Sequence, residues 1–158
     1  MYRRHRRTCI VLFMSIFFAT FKLKADYSKI ADNAVSVISI ALAVYIGAAS
    51  VILGSDFAKK LKKQQDQELI TKTSLGVLAS YLRTAGVCSL LTIIISIIYM
   101  LDLDVSSLVN ILTQYVPIEY FQFLWNFLSS ISFGLFAINV IFLWLILIFL
   151  INSMTKSV

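Results

Sequence analysis

Four apolar stretches punctuate the chain, and polar clusters separate them. The first, TCIVLFMSIFFATF, fills residues 8–21 and is bracketed by MYRRHRR and FKLKAD. The second runs from Ala34 to Gly54 without a charge for 21 residues. The third, AGVCSLLTIIISIIYML, fills residues 85–101, and the last runs uncharged from Leu124 to Ile151, 28 residues. A helix rises about 1.5 Å per residue, so about 20 apolar residues cross a hydrocarbon core about 30 Å thick. The pattern predicts an all-α, integral membrane four-helix bundle, a single transmembrane domain over residues 1–158. Its spans are expected at about 8–24, 34–54, 85–101 and 124–151. The first covers only about 20 Å, so Arg7, Lys22 and Lys24 are expected to snorkel to the two surfaces. A cleaved leader would end in a small-x-small site, but Lys22 and Lys24 follow this apolar core instead.

The intervening segments carry their own patterns. SDFAKKLKKQQDQELITKTSLGVLASYLR has helix-forming composition. It predicts a helical hairpin over about 55–84, turning near Gln64 to Asp66. DVSSLVNILTQYVP sets Val105, Leu108, Val109 and Leu112 on one helical face, with Asp104 as N-cap and Pro117 as stop. This predicts a short amphipathic helix in the loop between spans three and four, lying on the membrane surface or over the bundle end.

Composition agrees with the runs. Hydrophobic residues make up 59% of the chain and charged ones 14%, where a soluble domain carries about 25% charged. Four spans place the amino terminus, the 55–84 segment and the carboxyl terminus on one side. That side holds 11 of the 14 basic residues: Arg3, Arg4, Arg6, Arg7, Lys59, Lys60, Lys62, Lys63, Lys72, Arg83 and Lys156. The positive-inside rule then makes both termini cytoplasmic, in a plasma or inner membrane. Asp26, Asp32, Asp102, Asp104 and Glu119 fall on the other side, with Tyr99, Tyr115, Tyr120 and Trp125 at that surface.

Span two holds small residues that lipid does not require. Ser36, Ser39, Ala43, Gly47, Ser50 and Gly54 form one stripe at helical spacing; Ala34, Ala41, Ala48 and Ser55 form a second at intervals of seven. Small-x-x-x-small pairs let helix backbones approach closely in lipid. Ala85, Ser89, Thr92, Ser96 and Tyr99 give span three a matching stripe, and Asn139 sits mid-span in the fourth with Ser132 seven residues before it. Either these stripes are internal packing within one four-helix monomer, or the second stripe of span two packs against another subunit or lines a pore with Ser39, Ser50, Thr92 and Ser96. Two small faces on one helix favour a homo-oligomer.

The chemistry of catalysis is missing. Spans two to four contain no ionisable residue in their cores, whereas proton-coupled carriers need one there. His5 is the only histidine, and Cys9 and Cys88 read as buried inert thiols. No catalytic set, metal site or cofactor is expected, and no enzyme. The basic clusters Arg3, Arg4, Arg6, Arg7 and Lys59, Lys60, Lys62, Lys63 set topology and touch anionic lipid, at roughly 1 kcal/mol per residue. They would also suit an acidic cytosolic protein or a nucleotide-like ligand. Nucleic acid fits electrostatically, but no nucleic-acid-binding fold accompanies the charge.

The basic start YRRHRR, the short first span and a second span running into SDFAKKLKK resemble the two-helix membrane modules found beside nucleotide-signalling enzymes. The four-span plan with termini inside is similar to the membrane subunit of the Kiwa antiphage system. The resemblance implies a membrane subunit that senses envelope disturbance with a soluble partner, or breaches the membrane on a signal. It carries no site residue across. The expected function is an oligomeric inner-membrane subunit of a multi-protein response, antiphage defence foremost, docking a cytosolic partner at its basic face. The alternatives are a stand-alone pore that depolarises the membrane and a structural anchor or assembly factor.

Overall fold

The computed structural model describes residues 2–53, 56–63, 73–101 and 118–155. All of its elements are helical. Four are long: α1 (Arg3–Leu23), α2 (Ser28–Leu53), α4 (Ser74–Met100) and α5 (Ile118–Thr155). The short α3 (Asp56–Lys63) follows α2. Among the described residues, three helices are long and apolar enough to cross a membrane, over Ser28–Ser50, Ser74–Met100 and Glu119–Ile151. The helix α1 is not in that set, because arginines fill its first turns and Lys22 its last.

Local chemistry fixes the ends. Lys24 closes α1 in the left-handed region, φ 49°. Its N–H donates to the Phe21 carbonyl at 3.2 Å, and the Ala25 N–H donates to the Thr20 carbonyl at 3.0 Å. This pair of hydrogen bonds satisfies the last carbonyls of the helix. An Asp26 carboxylate oxygen accepts the Ser28 N–H at 3.1 Å and opens α2. The Thr73 hydroxyl accepts the Gly76 N–H at 3.2 Å and caps α4.

Ring contacts set α1 antiparallel to α5. Phe21 meets Phe123 at 5.6 Å and Phe17 meets Phe127 at 5.4 Å, while Phe13 faces Gly134. The helices α2 and α4 are antiparallel too. Ala31 and Ala34 pack near Tyr99, Ala41 and Tyr45 near Val77, Tyr81 and Ala85, and Ile52 near Leu78. Phe142 and Ile146 of α5 close the middle cluster.

The helices run further than the charge-free stretches. The first residue of α4 is Ser74 rather than Ala85, since Val77, Leu78, Tyr81 and Ala85 make one buried face while Arg83 and Thr84 point outward. Residues 74–84 thus belong to the bundle as well as to the proposed hairpin. Likewise α2 starts at Ser28, with Ala31 buried and Asp32 and Asn33 exposed. A charge on the outer face does not end a helix whose inner face is still covered. The hairpin turn at Gln64 to Asp66 and the amphipathic segment 104–117 lie outside the described residues.

Candidate functional site

The main polar feature is a buried seam where α2, α4 and α5 meet. Asn139 is its hub and is fully buried. Its Oδ1 accepts the Ser89 hydroxyl at 2.7 Å. Its Nδ2 donates to Thr92 Oγ1 at 2.8 Å and to the Leu135 carbonyl at 2.9 Å. Thr92 in turn donates to the Cys88 carbonyl at 2.8 Å, and the Tyr45 hydroxyl donates to the Asn139 carbonyl at 3.2 Å. An amide in lipid must find such partners.

The seam continues towards the end formed by Ala25, Tyr99 and Trp125. There the Tyr27 hydroxyl bonds Ser96 Oγ at 2.8 Å. The Tyr27 N–H donates to Ser129 Oγ at 2.8 Å, and Ser129 donates to the Ala25 carbonyl at 2.7 Å. Burial pushes the Tyr27 phenol above its ordinary range, and the Ser96 bond opposes that shift. Tyr27 meets Tyr99 edge-on at 5.3 Å, and Tyr99 meets Trp125 at 4.8 Å. The Tyr99 hydroxyl is buried with no hydrogen-bond partner among the described residues. A buried hydroxyl left unpaired costs about 1–3 kcal/mol. Tyr99→Phe should therefore leave thermal unfolding unchanged or raised, whereas Tyr27→Phe should lower it by breaking the Ser96 bond. Equal losses in the two variants would show that the Tyr99 hydroxyl is paired.

The opposite end of the bundle is basic. His5 Nδ1 lies 2.6 Å from the Tyr81 hydroxyl, and the Tyr2 N–H donates to the same oxygen at 3.2 Å. This holds the start of α1 against α4. One turn earlier on α4, Leu78 packs with Ile52, and Ala58 of α3 joins them. Arg4, Arg6 and Arg7 are exposed around His5, and Lys59, Lys62 and Lys63 are exposed on α3. The two clusters, 52 positions or more apart in sequence, thus share one end.

The proposed packing residues divide into two groups. Ser89, Thr92, Ser96 and Asn139 come together inside the chain. Ser39, Ala43, Gly47 and Ser50 do not join them; with Ser36 they are exposed on α2. Ser50 donates to its own Ile46 carbonyl at 2.9 Å. It is the other small set, Ala34 and Ala41 with half-buried Ala48, that packs inward. Gly54 and the side chains of Arg3 and Lys60 are outside the described residues. Sequence reading passed over Tyr27, Tyr45, Tyr81 and Ser129. Three of them had a periodic signal: Tyr81 lies four residues before Ala85, Tyr45 four after Ala41, and Ser129 three before Ser132.

Hydroxyls and an amide that satisfy one another clamp helices together; they supply no nucleophile with a base. Among the described residues, no group of three or more His, Cys, Asp or Glu side chains comes together. Comparison with family models, curated proteins and solved structures finds no match to this chain.

Proposed function

We propose that this protein is a non-enzymatic, oligomeric inner-membrane subunit that docks an acidic cytosolic protein at its basic end, within a multi-protein response such as phage defence. The observation that carries the reading is the convergence of the Arg4–Arg7 and Lys59–Lys63 clusters on one end of the bundle. In this reading α1 is a thin fourth span, and both termini are cytoplasmic. Self-association uses the exposed stripe of α2. The outward faces of the other helices are lined by large apolar side chains such as Val11, Phe18, Leu90, Ile94 and Trp144. Among the described residues the longest exposed run of small side chains is Ser36, Ser39, Ala43, Gly47 and Ser50 on α2, against the pair Ser15 and Ala19 on α1, and a Cβ on Gly47 would meet nothing within 4 Å of its own chain.

The test is native mass spectrometry of the tagged chain, extracted gently from its host with the neighbouring genes present. A homo-oligomer carrying a soluble protein is expected. Reversing Lys59, Lys60, Lys62 and Lys63 to glutamate should release the soluble protein and leave the oligomer, once protease protection shows the topology unchanged. Gly47→Leu should split the oligomer without lowering the thermal stability of the chain, because its own fold leaves space there. A bare monomer overturns the reading. A bare oligomer that passes ions in liposomes replaces it with a pore between copies, along exposed Ser36, Ser39 and Ser50.

A further inference from the structure

The end of the bundle away from the arginines holds a pocket of about 490 Å³, lined by Lys24, Phe121, Gln122, Trp125 and Asn126. Its wall is mixed in a specific way. One ammonium and two amides offer hydrogen-bond donors, and Phe121 and Trp125 stack against each other with ring centroids 6.4 Å apart at 15°. The pocket sits in the first turns of α5, on residues Phe121, Gln122, Trp125 and Asn126. Lys24 stands where a glycine fits better, since the left-handed conformation costs a side chain roughly 1–2 kcal/mol. That cap turns the chain so that the lysine reaches the start of α5.

The surroundings give the pocket a direction. One turn before Lys24, Phe21 meets Phe123, and exposed Phe123 and Phe127 continue along α5 beside α1. An open, mainly apolar hollow edged by Lys24, Gln122 and Asn126 thus adjoins an apolar ladder, at the boundary of the apolar span Glu119–Ile151. Exposed Tyr120 and half-buried Trp125 sit at the same level, as aromatic side chains do at a membrane surface. Among the described residues no carboxylate lines the pocket; Asp26 accepts the Ser28 N–H, and Glu119 lies in the first turn of α5.

We infer that this pocket holds one phospholipid, its phosphate diester bound by Lys24, Gln122 and Asn126 and its acyl chain laid on the phenylalanine ladder of α1 and α5. The chemistry it reads is a phosphate oxyanion joined to an apolar tail. Free phosphate shares the first half only.

Native mass spectrometry of the full chain in mild detergent, titrated with dioleoyl-phosphatidylglycerol, tests this. Lys24→Asn keeps a residue that tolerates the left-handed cap while removing the charge. It should weaken binding of the first lipid about fivefold. Lys22→Gln removes an exposed cation two residues away, outside the pocket lining, and should leave that binding unchanged. Asn126→Leu should also weaken the first lipid. Equal effects of the Lys22 and Lys24 substitutions, or none from Lys24→Asn, overturn the site. Displacement of the lipid by millimolar inorganic phosphate would assign the pocket to the free anion and overturn the lipid. Resistance to phosphate together with loss on Lys24→Asn supports it.

Discussion

Asn139→Ala should cost the bundle about 2 kcal/mol, with Ser89 and Thr92 carrying much of the loss. Interhelical hydrogen bonds in membranes average about 0.6 kcal/mol and reach about 1.7. The Asn139 side chain makes two short ones, to Ser89 and Thr92, and a longer one to the Cys88 carbonyl at 3.4 Å, and alanine adds a cavity beside fully buried neighbours. The signature is coupling. Ser89→Ala alone removes one bond and strands Asn139 Oδ1. In the Asn139→Ala background the same change should cost much less, because its partner has already gone. Reversible unfolding in bicelles reads both values, and the double-mutant cycle reads the coupling. Strict additivity would mean that the two side chains are solvated separately and that water occupies the seam. The clamp reading would then fall, and the pore alternative would gain its lining.

Tyr45 belongs to the same calculation in a different way. Its hydroxyl donates to the Asn139 main-chain carbonyl, not to the side chain. Asn139→Ala keeps that acceptor, so Tyr45 should remain uncoupled in the cycle. The seam is therefore a set of separable bonds that ties three helices at one depth.

What the sequence made legible here follows from periodicity. The uncharged runs located α2, α4 and α5, because a membrane helix needs apolar length and little else. The small-polar stripe of α4, from Ala85 to Tyr99, turned out to be its buried face. Periodicity alone did not say which of the two α2 stripes faces inward. Both are small and both are helical, so only the partner's shape decides, and Ala34 and Ala41 fit beside Tyr27, Tyr81 and Tyr99. Tyr27 was invisible for another reason. It precedes the apolar run, among Asp26, Ser28 and Lys29, and its role depends on meeting Ser96 from a helix 69 positions away. The joining of the two basic ends rests on Tyr2 and His5 reaching Tyr81 and on Ile52 and Ala58 packing with Leu78. No spacing within either segment encodes those contacts.

The second large effect lies at Gly134, the point where α1 is seated on α5. A Cβ built there would stand 2.6 Å from Cδ2 and Cε2 of Phe13 and 3.4 Å from its Cγ. Real carbons do not approach so closely, so Gly134→Ala must push the ring away. The ring is not free to swing. It stacks on Phe17 at 6.2 Å and 15°, and Phe17 is wedged edge-on against Phe127. Overpacking of this kind costs about 1–3 kcal/mol, against which the helix propensity gained from alanine returns up to about 1 kcal/mol. A net loss is expected, seen as a lowered unfolding midpoint. Phe13→Ala should also destabilise, by leaving a void beside Gly134. Combined, the two changes should recover part of the loss, since the new methyl enters the space the ring vacates. Failure of the pair to recover anything would mean that α1 does not sit at this register on α5. The consequence reaches the far end of the helix. Because α1 brings Arg4, Arg6 and Arg7 to the basic end, Gly134→Ala should also weaken capture of the acidic partner proposed above, and the Phe13→Ala rescue should restore it.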